Sequence, residues 1–171
     1  MISGLVLALA LADPTAGALA RPLAMIERDF VSVADAMPED KWTFAPKDGK
    51  DGAFANVRTF AEHVKHVACA NFAFFSEIEQ KTPPDGCETG GPSPARSKAE
   101  LMKYLRESFA YASGVLGRLT SATLLDSTSG PYGGKNTKLG VATLAVWHAS
   151  DHYGQLVVYL RINGIVPPAS R

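Results

Sequence analysis

The sequence predicts an all-α protein folded as a four-helix bundle. Three observations carry that expectation. Apolar residues recur at steps of three and four in four separate segments, Pro- and Gly-rich stretches divide those segments, and no segment shows the strict alternation of a half-buried strand. Each apolar face is one stripe wide, so no helix can bury it alone. Four helices of roughly 20 to 25 residues remove all four faces from water by packing around one core.

The first helix is expected over about Ala16 to Met37. Pro22 either stands near its true start or kinks it, because proline has no N–H to give to the preceding turn, and Met37 before Pro38 ends it. The second runs from about Asn56 to Gln80, with Phe60, Val64, Val67, Phe74 and Ile78 on one face, until "KTPPDGCETGGPSP" breaks it. The third covers about Lys98 to Leu119, carries Leu101, Tyr104, Leu105, Phe109 and Val115 inward, and opens on a capping box of Ser97 and Glu100. After the loop "STSGPYGGKNT", the fourth spans about Leu139 to Asn163, closed by Gly164 with Pro167-Pro168 beyond. Long connections permit a crossover, so spacing alone does not order the helices in space.

A chain of 171 residues, 46% of them hydrophobic, is expected to form one domain with a core that needs no staples. Lys+Arg and Asp+Glu balance at 17 each, which gives no electrostatic footprint for nucleic acid or an anionic membrane. Two cysteines, Cys69 and Cys87, define neither a disulfide framework nor a zinc knuckle. The start, "MISGLVLALALA" followed by Asp13-Pro14, has the apolar run and small-residue end of a secretory signal. It lacks the positively charged leading region, so an apolar first turn of a helix is the alternative. The expectation is export to the periplasm or beyond with residues 1 to 12 removed and a single domain over 13 to 171; a cytoplasmic protein is the alternative. Twelve residues fall short of the about 20 a membrane span needs, and no other segment qualifies.

The chemistry concentrates in "WHASDHYGQ", which holds two of the four histidines, His148 and His152. Four positions apart on a helix, they share one face, and Val141, Leu144, Gln155 and Tyr159 place that face toward the core. Inward imidazoles on a bundle helix are either packed and satisfied by hydrogen bonds or are metal ligands. A catalytic zinc takes three protein ligands and keeps a fourth position open, so a further donor is required. The second helix offers His63 and His66.

"VRTFAEHVKHVACANFAFF", followed later by "WHASDHYGQLVVYLRINGIVPPASR", resembles the DinB family, and especially its exported, uncharacterised branch. The likeness covers about Asp13 to Arg171, and its specific parts are the "HVA-x-AN" segment, the "H-x3-HYGQ" segment and the "GIVPP" tail. It implies a four-helix bundle of up-down-down-up topology with three histidines on a divalent metal, zinc or nickel. Residue by residue, those ligands are His66, which precedes Val67-Ala68, with His148 and His152. Helical spacing disagrees on the first, because His63 lies nearer the centre of the Phe60/Val67/Phe74 stripe. With the motif preferred, His63 becomes a neighbour, either bonded to a ligand ring or part of the surface.

Three neutral imidazoles leave the ion its full charge and an open position, able to lower the pKa of bound water or thiol or to polarise a carbonyl. The resemblance implies an enzyme that activates water or a low-molecular-weight thiol for hydrolysis or transfer on a small-molecule substrate, with homodimerisation frequent among relatives. The alternative is a non-catalytic metal-binding or stress-related bundle. No catalytic residue beyond the metal ligands is assigned. Asp151, Tyr153 and Gln155 flank the pair and either orient a ring, bind substrate or belong to the rim. Cys69 reads as a small core hydrophobe in preference to an additional ligand or an attacking thiol, or as a bridge to Cys87 if the protein is exported. "SGPYGGKNT" fails the phosphate-loop pattern at Ser129 and Asn136, and Trp42, Trp147 and Phe72/Phe74/Phe75 read as packing residues. An enzyme should keep an open position above the ion; a structural site should be closed by a fourth protein ligand.

Overall fold

Four helices form where the apolar periodicity places them, and side-chain caps set their starts. The computed structural model describes residues 13–47, 52–84, 97–130 and 133–171, with helices α1 (Pro14–Ala36), α2 (Phe60–Glu79), α3 (Lys98–Leu116) and α4 (Lys138–Ile162). The Asp13 carboxylate accepts from the Thr15 N–H at 2.9 Å and also from the Ser121 N–H at 2.7 Å, which holds its pKa far below the usual range and ties the start of α1 to the loop after α3. Thr59 and Glu62 form a complete capping box at the start of α2, and the Thr137 hydroxyl accepts from the Gly140 N–H on α4. The Ser97 hydroxyl does the same for the Glu100 N–H on α3. Each such cap stabilises its helix by about 1 kcal/mol.

Several expected boundaries move for local reasons. α2 begins at Phe60, beyond the expected Asn56, because Asn56 sits in the left-handed region at φ 63° and the Thr59 box makes the better start. α3 stops at Leu116, with Gly117 as its cap, short of Leu119. α1 runs through Pro22 to Ala36 rather than starting there. The loop before α4, in which no strand was expected, holds a two-residue antiparallel pair, β1 (Ser127–Thr128) with β2 (Asn136–Thr137). A pairing that short has no room for a period-2 signature; Thr128 anchors it by donating its hydroxyl to the Glu77 carbonyl at 2.8 Å.

Named contacts order the helices. Arg58, His63 and His66 on or beside α2 meet Tyr159, His152 and His148 of α4 in reverse order, so the pair is antiparallel. Asn71, Ser76 and Glu79 meet Ser108, Tyr111 and Arg118 in the same order, so α2 and α3 are parallel. α1 is antiparallel to α3, with Asp13 beside Ser121 and Asp35 beside Lys98, and parallel to α4, where Leu19 and Pro22 share a groove with Ala142 and Val146. The result is an up-down-down-up bundle in which α1 and α2 face each other across the core, as do α3 and α4. Phe30, Phe60, Phe75, Phe109, Leu105 and Leu156 fill that core.

The segment between α1 and α2 fixes the entry of α2. Trp42, buried edge-on against Phe60 at 5.6 Å, donates its indole N–H to the Met37 carbonyl at 2.9 Å. The carbonyls of Phe44 and Trp42 accept from the Phe60 and Ala61 N–H groups, two of the four that a helix start leaves without partners. The first two turns of α2, which carry His63 and His66, are therefore held from outside as well as by their own cap.

Candidate metal centre

All four histidines converge between α2 and α4. His63 and His66 occupy successive turns of one helix, His148 and His152 of the other, and the antiparallel arrangement brings the two pairs level. The Nδ1 atoms of His63 and His152 lie 3.0 Å apart, and the Nε2 atoms of His66 and His148 lie 3.1 Å apart. The ring of His152 packs against those of His148 at 4.6 Å and His66 at 4.8 Å. Phe74 closes one end of the cluster against His148 at 5.4 Å, and Tyr159 closes the other against His63 at 5.3 Å.

Burial decides the protonation state. Loss of hydration pushes all four imidazoles from their ordinary value down to about 4. After burial, the Arg58 charge is the next cause at His63 and His66, whereas at His148 it is the His152 ring and at His152 the His66 and His63 rings. At neutral pH the rings are uncharged, each with one bare nitrogen lone pair, which is the state a metal requires.

The donors of His66, His148 and His152 all lie within 4.8 Å of one another. An ion held tetrahedrally at 2.0–2.1 Å from imidazole nitrogens spaces them about 3.3 Å apart, near the 3.1 Å already present between His66 and His148. His148 Nδ1 is buried with no hydrogen-bond partner among the described residues, so this ring has a nitrogen the protein leaves unused. The residue set fits a divalent ion. His, Cys, Asp and Glu donors cluster this closely only at these three histidines among the described residues, so Cys69, buried in α2, and Asp151 do not join them.

His63 is a buried member of the cluster, 3% exposed, whereas His66 is half-buried. Spacing thus ranked their burial correctly and the motif picked the member of the triad. If His152 turns Nε2 to an ion, its Nδ1 carries the proton and donates to His63 Nδ1, the outer hydrogen bond that orients a ligand ring. The flanking residues do not converge on the cluster. Asp151 is exposed and accepts from Gln155 at 2.9 Å, and Tyr153 is half-buried against the core. Trp147, read as a packing residue, is 60% exposed and lines a small apolar groove with Leu19, Pro22 and Val146, because it falls on the outer face of α4. Cys87 and residues 1–12 lie outside the described residues, so neither the bridge nor the leader is placed. Arg58 was not singled out in the sequence, since an arginine before a helix cap carries no motif.

A groove of about 640 Å³ lies off the triad between the segment after α1 and the end of α4, lined by Lys41, Phe44, Phe54 and Ile162. Phe44 links it to the histidines by meeting Tyr159 edge-on at 5.8 Å. No helix among the described residues is long and apolar enough to cross a membrane.

Comparison with known proteins gives a consistent result. The model of the DinB superfamily matches residues 23–156. A DinB-like protein (YjoA) from Bacillus subtilis superposes with a TM-score of 0.66 at 18% identity, over 86% of this chain and 92% of its own. A DinB-like protein from Bacillus cereus does so at 0.70 and 14%, over 89% and 95%, and a conserved protein from Enterococcus faecalis at 0.65 and 16%, over 83% and 92%. At these identities the likeness establishes the fold. No curated protein matches the sequence significantly.

Proposed function

The chain belongs to the DinB superfamily, and from that premise we propose that His66, His148 and His152 hold one divalent ion, zinc or nickel, in an enzyme that activates water or a low-molecular-weight thiol for hydrolysis or transfer. The observation that carries this is the convergence of three neutral ring nitrogens within 4.8 Å. Bound there, the ion supplies positive charge that lowers the pKa of water or thiol toward neutrality and polarises a substrate carbonyl. The protein's own residues prepare the place. Burial keeps the imidazoles unprotonated, His63 would accept from His152 Nδ1 once that ring turns Nε2 to the ion, and the Phe74 ring packs against His148. Tyr159 supports His63 by ring contact and, by donating its hydroxyl to the Arg58 carbonyl at 2.9 Å, ties the start of α2 to α4. Three protein donors leave room for a reactant.

The test is metal content of untagged protein by elemental mass spectrometry, with His66→Ala and His152→Ala beside the wild type. About one ion per chain, lost in both variants, supports the centre and justifies screening hydrolysis and thiol transfer. No ion after incubation with zinc or nickel overturns it. The position of the 640 Å³ groove away from the triad favours a second reading, a metal-binding or stress-related bundle without catalysis. That reading predicts tight metal retention with no uptake of a thiol at the ion. We also propose that residues 1–12 are a leader removed on export from a single domain over 13–171. Intact mass of protein from its native cell reads this directly, and retention of Met1 would overturn it.

A further inference from the structure

The 640 Å³ groove has the size of a small-molecule site and is lined by none of the four histidines. Its walls are held before any ligand arrives. From the single 3-10 turn Glu39–Lys41 onward, the Phe44 N–H donates to the Lys41 carbonyl at 3.0 Å, and the Trp42 and Phe44 carbonyls accept from the start of α2. The Phe44 ring meets Tyr159 edge-on, and the Tyr159 hydroxyl is tied to the Arg58 carbonyl. On the facing wall, Asn163 caps α4 and donates its side-chain amide to the Tyr159 carbonyl at 2.9 Å. A preformed groove spares a ligand the cost of ordering it.

The lining is apolar with an excess of one charge. Phe54 and Ile162 are 42% and 54% exposed, so an aromatic and a branched aliphatic side chain stand open to water in one concavity. Beside them Lys41 is half-buried, and its ammonium, which has three hydrogens to give, donates only to the Asn163 carbonyl at 3.4 Å. Among the described residues neither Lys41 nor Lys47, the second lysine of the lining, pairs with a carboxylate. Asp40 is the one acid among the described lining residues and is exposed, which leaves two cations against one anion. Free carbonyls at the end of α4 would repel an anion, but those of Leu160 and Arg161 accept from Ile165 and Gly164, and that of Asn163 accepts from Lys41.

We propose that this groove binds a small amphipathic carboxylate, its apolar body against Phe44, Phe54 and Ile162 and its carboxylate paired with Lys41. The body removes Phe54 and Ile162 from water, and the carboxylate gives Lys41 the partner that the protein does not supply. A neutral ligand would shut the half-buried ammonium off from water without pairing it, and a cationic one would add like charge to two lysines. The site stands apart from the histidines and does not depend on their holding a metal.

The full chain, labelled with 15N and kept with one equivalent of zinc, is titrated with 4-phenylbutyrate, 4-phenylbutanamide and 4-phenylbutylamine while backbone amide shifts are followed by NMR. The amides of Phe44, Phe54 and Asn163 should move. The carboxylate should bind about tenfold more tightly than the amide, the worth of one hydrogen bond to a charged group. Lys41→Gln should bring the two within about threefold, whereas Phe54→Ser should weaken both about fivefold and keep the preference. Neither position is in the core, and the amide spectrum of each variant without ligand verifies its fold. Equal binding of carboxylate and amide, or tightest binding of the amine, overturns the anionic ligand. A Lys41→Gln variant that keeps the full preference overturns the role of Lys41. Shifts confined to the surroundings of His148 and His152, or no shifts with any of the three probes, overturn the site, and the metal reading is judged separately by metal content.

Discussion

Acidification should unfold the metal-free protein before its carboxylates titrate. An unfolded imidazole binds its proton near pH 6.5, whereas burial holds His63, His66, His148 and His152 in the fold at about 4. Between those values the unfolded chain takes up protons that the fold refuses. The stability these rings permit is therefore fully present above pH 6.5 and is lost as the pH falls toward 4. From pH 7 to pH 5, one ring with these two values costs slightly less than about 2 kcal/mol. Counting His63, His148 and His152 in full and the half-buried His66 at about half for solvent screening gives a loss of about 6 kcal/mol. That is comparable with the whole stability of an ordinary domain, about 5–15 kcal/mol. Urea unfolding followed by far-UV circular dichroism, in the presence of a chelator at pH 7, 6 and 5, measures it. The midpoint should fall at each step, most steeply between pH 6 and 5. A midpoint constant across that range would mean that the four rings are open to water and protonate at ordinary values, and the neutral donor set would be refuted.

Three further outcomes follow from the same geometry. Zinc or nickel at a thousandfold excess over its Kd should stabilise the wild type by about 4 kcal/mol, raising Tm by about 8–16 °C in calorimetry, and His152→Ala should abolish the shift. In His63→Asn the side-chain oxygen stands near the place of Nδ1 and can still accept from His152, whereas His63→Leu cannot. Metal affinity measured by chelator competition should fall about 10- to 100-fold in the leucine variant and largely return in the asparagine one. Thr59→Ala removes the hydroxyl that the Glu62 N–H and carboxylate both use, and should cost about 1 kcal/mol in urea unfolding without changing metal stoichiometry.

The helices were legible because their causes are local. A stripe at steps of three and four, a Ser or Thr ahead of it and a Gly behind it act within one turn, and α4 ends at Ile162 with Asn163 as its cap and Gly164 at φ 74°, one residue from expectation. The residues of α2 and α4 that meet were legible only as candidates. Periodicity correctly put His63 deep in the core, and only the resemblance chose His66 for the triad. What the sequence by itself determined, then, was which segments are helical, which faces they bury, and that four histidines lie on two of those faces. Tertiary structure decided the rest: that α2 runs antiparallel to α4 and so brings His63 to His152 and His66 to His148, that Trp147 faces outward, and that the Arg58 carbonyl meets the Tyr159 hydroxyl. The physical reason is distance along the chain. His66 and His148 are 82 positions apart, and their 3.1 Å contact depends on how whole helices pack, which no local propensity encodes.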